Sequence, residues 1–378
     1  MNWTFTTKQD STFILSISGN DSIYTIYVAS VDDKGLVDPT PASNLYPVIN
    51  TPPVVSFDNT SLIPDTTFPI ATFKWNGFDP DGSETIRYYW WALNDTSNFK
   101  RIPGNINLIT LNKDSGIAVN SNNKFYLKAQ DNAGAFSPVI KMPPDSTHWY
   151  VKNNSGKILL IQDIASTNLP DAIPYFQNAF DTLKFDVLDI KSRNGALIPK
   201  IINPMFIETL KLYKYVLWSS GSGSVAASAN LDLAQQTIPF YLQSGGKIFF
   251  TAGFPNASIT GQGNVINFAP VDSITFCTIP FVLNSDSNLI SVKSNYPLIG
   301  PSSATQFVRG IKSSSNVPVV YSFFKASGCF DTIKVAIKDV VSNPRIIYMS
   351  FPVFNLNKFP ENSKSLFRKI FIEEFGYN

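Results

Sequence analysis

The pattern of apolar and polar positions changes near residue 150. Before it, apolar residues alternate with polar ones in short runs, closed by Gly, Pro, Asn and Asp. A period of two predicts half-buried strands. Residues 71–77 and 87–93 are the clearest, both rich in aromatics and separated by the turn Asp79-Pro80-Asp81-Gly82. After residue 150 the apolar runs are continuous, at 157–163, 185–189, 215–218, 247–251 and 345–350. Such runs predict parallel strands buried on both faces. Helical spacing covers 169–183, with Pro170 in the first turn, and 231–242, stopped by Ser244-Gly245-Gly246. A further helix opens at Asn203-Pro204. Strands alternating with helices predict βαβ units. The rhythm breaks over 264–340, where 273–278, 319–324 and 332–338 read as strands with no helix between them. The last two are expected to form a hairpin through Ser327-Gly328, and 363–375 reads as an amphipathic helix with Leu366, Ile370 and Phe371 on one face.

One internal repeat is present. The segments 27–39 and 126–138 both read Tyr, four residues, Asp, Asp or Asn, one residue, Gly, three residues, Pro. The offset of 99 residues is about one β-sandwich domain. In each copy a strand runs up to Asp32 or Asp131. Gly35 or Gly134 supplies the positive φ of the turn, and a second strand follows.

Composition narrows the chemistry. The 378 residues include one histidine, His148, and two cysteines, Cys277 and Cys329. A lone histidine excludes His-rich metal sites within this chain and leaves a Ser–His–Asp or Cys–His unit only through His148. The cysteines match no metal-ligand spacing, and buried thiols or a disulfide both remain open. Charged residues are 15% of the chain and the net charge is +2 with no basic block, which argues against nucleic acid as a partner. No apolar run is long enough to span a membrane.

Residues 50–145, with Trp90 and Trp91, Asp79-Pro80-Asp81-Gly82 and the Tyr126 to Gly134 hairpin, resemble the immunoglobulin-like and fibronectin-III-like domains of bacterial secreted and surface proteins. Residues 1–48 carry only the later half of such a domain. The chain is therefore expected to begin inside a domain, which leaves a missing signal peptide uninformative. Residues 155–378 resemble the class I glutamine-amidotransferase-like, flavodoxin-like fold. The residues that carry this are Gly156 to Ile161, Tyr215 to Gly221, Tyr241 to Gly253 and Arg345 to Phe354. The expected organisation is multidomain: a partial immunoglobulin-like domain (1–48), a complete sandwich (49–145), a linker (146–156) and an α/β domain with a mostly parallel sheet (157–378).

The resemblance also bears on chemistry. In amidotransferases the turn after the Gly-Gly-led strand holds a cysteine partnered by histidine and glutamate. Here that turn, 251–256, has no Cys or Ser, and no histidine follows His148. A noncatalytic version is implied. Strand ends still offer a crevice, expected at Asp163, Asp189, Ser219, Ser220, Gly253 and Phe254. Asp79, Asp81 and Asp131 fall at one end of the sandwich. They read either as turn formers or as oxygen ligands for Ca²⁺. The expected role is structural or binding, extracellular or at the cell surface, with partners among other domains of the same protein, or carbohydrate or protein there. The competing readings are a hydrolase using Asp163 or Asp189, and a scaffold for a catalytic domain elsewhere in the protein.

Overall fold

The computed structural model describes residues 3–15, 21–59, 63–191, 203–221, 230–253, 265–275, 281–283, 288, 290–291, 295–323 and 333–378. The chain divides into two compact units. One comprises 1–61, 73–109 and 123–148, and the other 62–72, 110–122 and 149–378.

In the first unit, β1 (Asp21–Val28) and β2 (Ala42–Ile49) form a two-stranded antiparallel sheet. The next strands are β3 (Val54–Phe57), β4 (Thr66–Thr67), β5 (Ile70–Phe78), β6 (Ile86–Leu93), β7 (Lys100–Pro103), β8 (Leu108–Asn112), β9 (Ser121–Asn122), β10 (Phe125–Asp131) and β11 (Ile140–Met142). Seven of them build a sandwich of a three-stranded sheet, β3-β5-β8, and a four-stranded sheet, β11-β10-β6-β7, while β4 and β9 belong to the second unit. The alternation seen in the sequence sorts the two faces. In β10, Phe125, Leu127, Ala129 and Asp131 are buried and the residues between them are half-buried. Phe125 stacks on Phe73 with centroids 4.1 Å apart, and Trp75 meets Tyr89 edge-on at 5.5 Å. Of the aromatic quartet, Tyr89 and Trp91 point inward, and Tyr88 and Trp90 outward.

The repeat is structural, and its main turn bonds recur. Asp32 N–H donates to Leu36 O, as Asp131 N–H does to Ala135 O. Each Asp Oδ1 accepts the N–H four residues on, at 2.8 Å in both copies. Val31 bridges Val37 as Gln130 bridges Phe136. Gly35 and Gly134 hold φ of 83° and 96°, where a side chain would be strained. The surroundings differ. Leu127 is fully buried, whereas its counterpart Val28 is 64% exposed. The second hairpin has β6 beside it and the β3-β5-β8 sheet across from it. Among the described residues the first hairpin has neither.

The second unit holds β12 (Tyr150–Val151), which pairs parallel with β4 and antiparallel with β9. The 146–156 stretch therefore contains a strand, and Trp149 beside it is fully buried, donating to Thr67 Oγ1 at 2.8 Å. Then follow β13 (Ile158–Asp163), α1 (Leu169–Phe180), β14 (Phe185–Asp189), α2 (Asn203–Lys211), β15 (Tyr215–Ser220), α3 (Leu231–Gln243) and β16 (Lys247–Thr251). Next come β17 (Ser273–Thr275), β18 (Phe281–Leu283), β19 (Ile290–Ser291), β20 (Thr305–Val308), β21 (Gly310–Lys312), β22 (Val319–Phe323), β23 (Ile333–Lys338), β24 (Ile346–Met349) and α4 (Pro360–Arg368). The last helix starts at Pro360, earlier than its apolar spacing suggests, and continues as a π-helical turn over Lys369–Glu374.

The main sheet runs β14-β13-β15-β16-β24-β23-β22-β19. Its first five strands are parallel; the last three each run antiparallel to their neighbours. The sheet is thus mixed rather than mostly parallel. Alternate residues feed two cores. Ile158, Leu160, Leu217 and Phe249 pack with α1 and α4 on one face. Leu159, Ile161, Trp218 and Phe250 pack with α2 and α3 on the other. Burial on both faces explains the unbroken apolar runs. No helix among the described residues is long and apolar enough to cross a membrane.

The two turns differ in burial, so they should differ in energetic weight. Asp131→Ala removes acceptors from the Ala135 N–H and the Asn50 side chain in a buried site. It is expected to cost about 2–3 kcal/mol, whereas Asp32→Ala, in an exposed turn, should cost less than about 1 kcal/mol. Urea unfolding followed by tryptophan fluorescence checks both values.

Candidate functional site

The first five strands lie in the order 2-1-3-4-5, so the chain leaves β13 first to one side and later to the other. The switch point falls between the carboxyl ends of β13 and β15, where ligands bind in open α/β sheets. Asp163 ends β13 there, and Ser220 ends β15.

Asp163 is fully buried. Its Oδ2 accepts the Asn230 N–H at 2.7 Å and Trp218 Nε1–H at 3.2 Å, and its Oδ1 accepts Asn230 Nδ2–H at 2.6 Å. Lys191 Nζ is 3.7 Å from Oδ1. Burial pushes the carboxyl up to about 6, opposed by the Lys191 charge and by the Asn230 and Trp218 donors. Burial lowers Lys191 in turn, opposed by Asp163. Expected at a crevice, Asp163 is instead a buried cross-link whose acceptor sites face protein donors. Ser219 and Ser220 are also fully buried. The Thr251 hydroxyl donates to Ser219 Oγ at 3.3 Å, and the Ser220 hydroxyl points to Gly221 O. Gly253 is buried, while Phe254, Ser222 to Ser224 and both cysteines lie outside the described residues.

Asp189, at the end of β14, is half-buried and accepts the Lys191 N–H at 2.9 Å. It lines a cavity of about 330 Å³ within the second unit, a size that suits a small ligand. The floor is apolar, made by Val187, Leu188, Met205 and Phe206 with Phe68. Lys152 Nζ stands 4.2 Å from the centroid of Phe68 and donates to Val187 O at 3.0 Å. Burial lowers Lys152, with Asp186 opposing. Asp65 and Thr209 add polar groups. Sequence reading found Asp189 but missed Phe68 and Lys152. Phe68 lies between two strands of the sandwich stretch, far along the chain from β14, and carries no local mark of this role.

The three aspartates of the sandwich all accept bonds from protein donors. Asp79 Oδ1 accepts the Asp81 N–H, and Asp81 Oδ2 accepts the Thr51 N–H. Asp131 is occupied by Ala135 and Asn50. Asp79 Oδ2 is buried without a hydrogen-bond partner. Among the described residues no group of three or more Asp, Glu, His or Cys could hold a metal ion. Asp79 and Asp131 thus accept backbone N–H groups of their own turns, and Asp81 accepts one from Thr51.

No protein-family model matches the sequence, and no curated protein matches it. Solved structures give low-scoring similarities. The fibronectin(III)-like modules of Clostridium thermocellum CbhA match over 35% of this chain and 63% of that one, at 16% identity and a TM-score of 0.23. The chicken CNTN1 FN1–FN3 domains match over 36% and 46%, at 12% identity and a TM-score of 0.19. A 2,6-sialyltransferase of Photobacterium matches over 49% and 40%, at 11% identity and a TM-score of 0.16. In each case the match spans less than two thirds of the other chain. The fold therefore rests on strand order and register.

Asp163 makes the second unit sensitive to pH with a definite sign. Its folded pKa is raised, so the folded state holds this proton more tightly than the unfolded one. The group's full contribution, about 3 kcal/mol, is present below the unfolded value of 3.8 and is lost as pH rises through about 6. Between pH 7 and pH 5 the gain should be about 1 kcal/mol, or roughly 2–4 °C in melting temperature. Asp163→Asn should flatten this dependence in calorimetric scans across that range.

Proposed function

We propose that the chain is a noncatalytic structural or binding region of an exported, modular bacterial surface protein. The observation that carries the reading is the state of Asp163. The carboxylate best placed for chemistry at the switch point is fully buried, with its oxygens engaged by Trp218, Asn230 and Lys191. A general acid or base must reach the proton it moves, and this one faces the protein. The buried hydroxyls of Ser219 and Ser220 support the same reading, as does a single histidine that lies outside the main sheet and its helices.

The order 2-1-3-4-5 of the parallel strands, with helices on both faces, supports an amidotransferase-like, flavodoxin-like α/β domain. Such a fold does not itself imply catalysis. The repeated turn bonds support tandem fibronectin-III-like modules, with the 21–49 hairpin as the closing hairpin of one of them. The apolar cavity beside Asp189 is the place where the α/β domain would take a small ligand.

The test is turnover. The purified chain, offered a chromogenic acetyl ester and a set of aryl glycosides, should give rates no higher than buffer. Hydrolysis that Asp189→Asn removes, with the melting temperature unchanged, would favour an enzyme and overturn the proposal. The variant is informative because Asp189 is half-buried at the cavity rim rather than locked in the core.

A further inference from the structure

The outer face of the β11-β10-β6-β7 sheet carries cations laid against aromatic rings. Trp90 sits in register between Arg101 of β7 and Lys128 of β10. The Arg101 guanidinium lies 4.4 Å from the Tyr88 ring centroid and 5.9 Å from that of Trp90. Arg87 lies 5.2 Å from the same tyrosine ring. Lys128 Nζ is 4.2 Å from the centroid of Phe136, which meets Trp90 edge-on at 6.0 Å. Gln130 accepts Trp90 Nε1–H at 3.0 Å and fixes the indole.

Two features of this face point outward. Arg87 and Arg101 both stand against the Tyr88 ring, and like charges gathered on one surface repel unless an anion joins them. Among the described residues, Arg87, Arg101 and Lys128 have no carboxylate partner, although Lys74, Lys124 and Lys141 of the same sandwich all do. Second, a guanidinium stacked on a ring uses its flat face for that contact. Its five N–H donors lie in its plane and remain free for a forked bond to a carboxylate. The half-buried rings of Tyr88 and Trp90, and the exposed ring of Phe136, offer apolar platforms beside those donors.

We infer that this sheet face binds an acidic polysaccharide, the carboxylates of its uronic-acid units pairing with Arg87, Arg101 and Lys128 while sugar C–H faces rest on Trp90 and Phe136. A strand surface suits an extended polymer, and alternating cation and ring match a chain that alternates charge and apolar face. A net charge of +2 without basic blocks makes nucleic acid the poorer fit. The face lies in the sandwich, so its test is separate from that of the α/β domain.

Calorimetric titration of the full chain with polygalacturonate is the experiment, with fully methyl-esterified polymer as the neutral control. Polyglutamate and single-stranded DNA serve as non-sugar polyanions. Wild type should bind polygalacturonate and not the esterified polymer. The triple variant R87Q/R101Q/K128Q, whose substituted cations lie on the outer face, should keep its melting temperature and lose at least about tenfold in affinity. Trp90→Ala should weaken polygalacturonate more than polyglutamate. Absence of binding, unchanged affinity in the triple variant, or equal affinity for polyglutamate or DNA would each overturn the inference.

Discussion

The second unit depends on one buried carboxylate. Asp163 ties the end of β13 to Trp218 in β15 and to Asn230, the residue before α3, while Lys191 follows β14. Two neighbouring strands, one helix start and one strand exit thus meet at a single side chain. Taking a carboxylate out of water is costly, and the raised pKa records that cost. The donors around it offset the cost only in one geometry. The interaction is therefore a better specifier of register than a source of stability. It also turns the polar groups at the ends of β13 and β15 into the protein.

The sandwich is organised on a different principle. Its specificity comes from alternation, with Phe125, Leu127 and Ala129 turned in and the residues between them turned out. The only carboxylate in that buried set, Asp131, serves a turn and an asparagine at the domain entry. Among the described residues the first hairpin has the same turn and the same main turn bonds without the surrounding sheets. Local turn chemistry is thus sufficient to set the hairpin's geometry, and burial is added by whatever packs around it.

Much of this was legible in the sequence because periodicity reports directly on burial. The runs at 157–163 and 215–218 read as doubly buried strands, and their residues alternate between two cores. The repeat was legible because its turn needs Asp and Gly at set positions. The antiparallel strands β22 and β23 could be read as a hairpin, but their addition to the parallel strands could not, since that depends on pairing with the distant β24. The site was less legible. Asp163 and Asp189 occupy equivalent strand ends and look alike in sequence. One is sealed and the other borders a cavity because of Asn230, Phe68 and Lys152, which lie 37 to 121 residues away along the chain.

The low charge of the chain takes on a sharper meaning in this light. Charge is sparse overall, yet three cations stand together on one sheet face without carboxylate partners among the described residues. Scattered charges on a sparsely charged surface cost little, because water and salt screen them. A cluster stacked on rings is different, since each ring fixes its cation and limits escape from its neighbours. Such an arrangement is favourable alone only if the cation–ring contacts outweigh the mutual repulsion, and each exposed contact contributes roughly 0.5–1 kcal/mol. An anion arriving on that face removes the repulsion and keeps the contacts. The same geometry that is marginal without a partner becomes well suited to one.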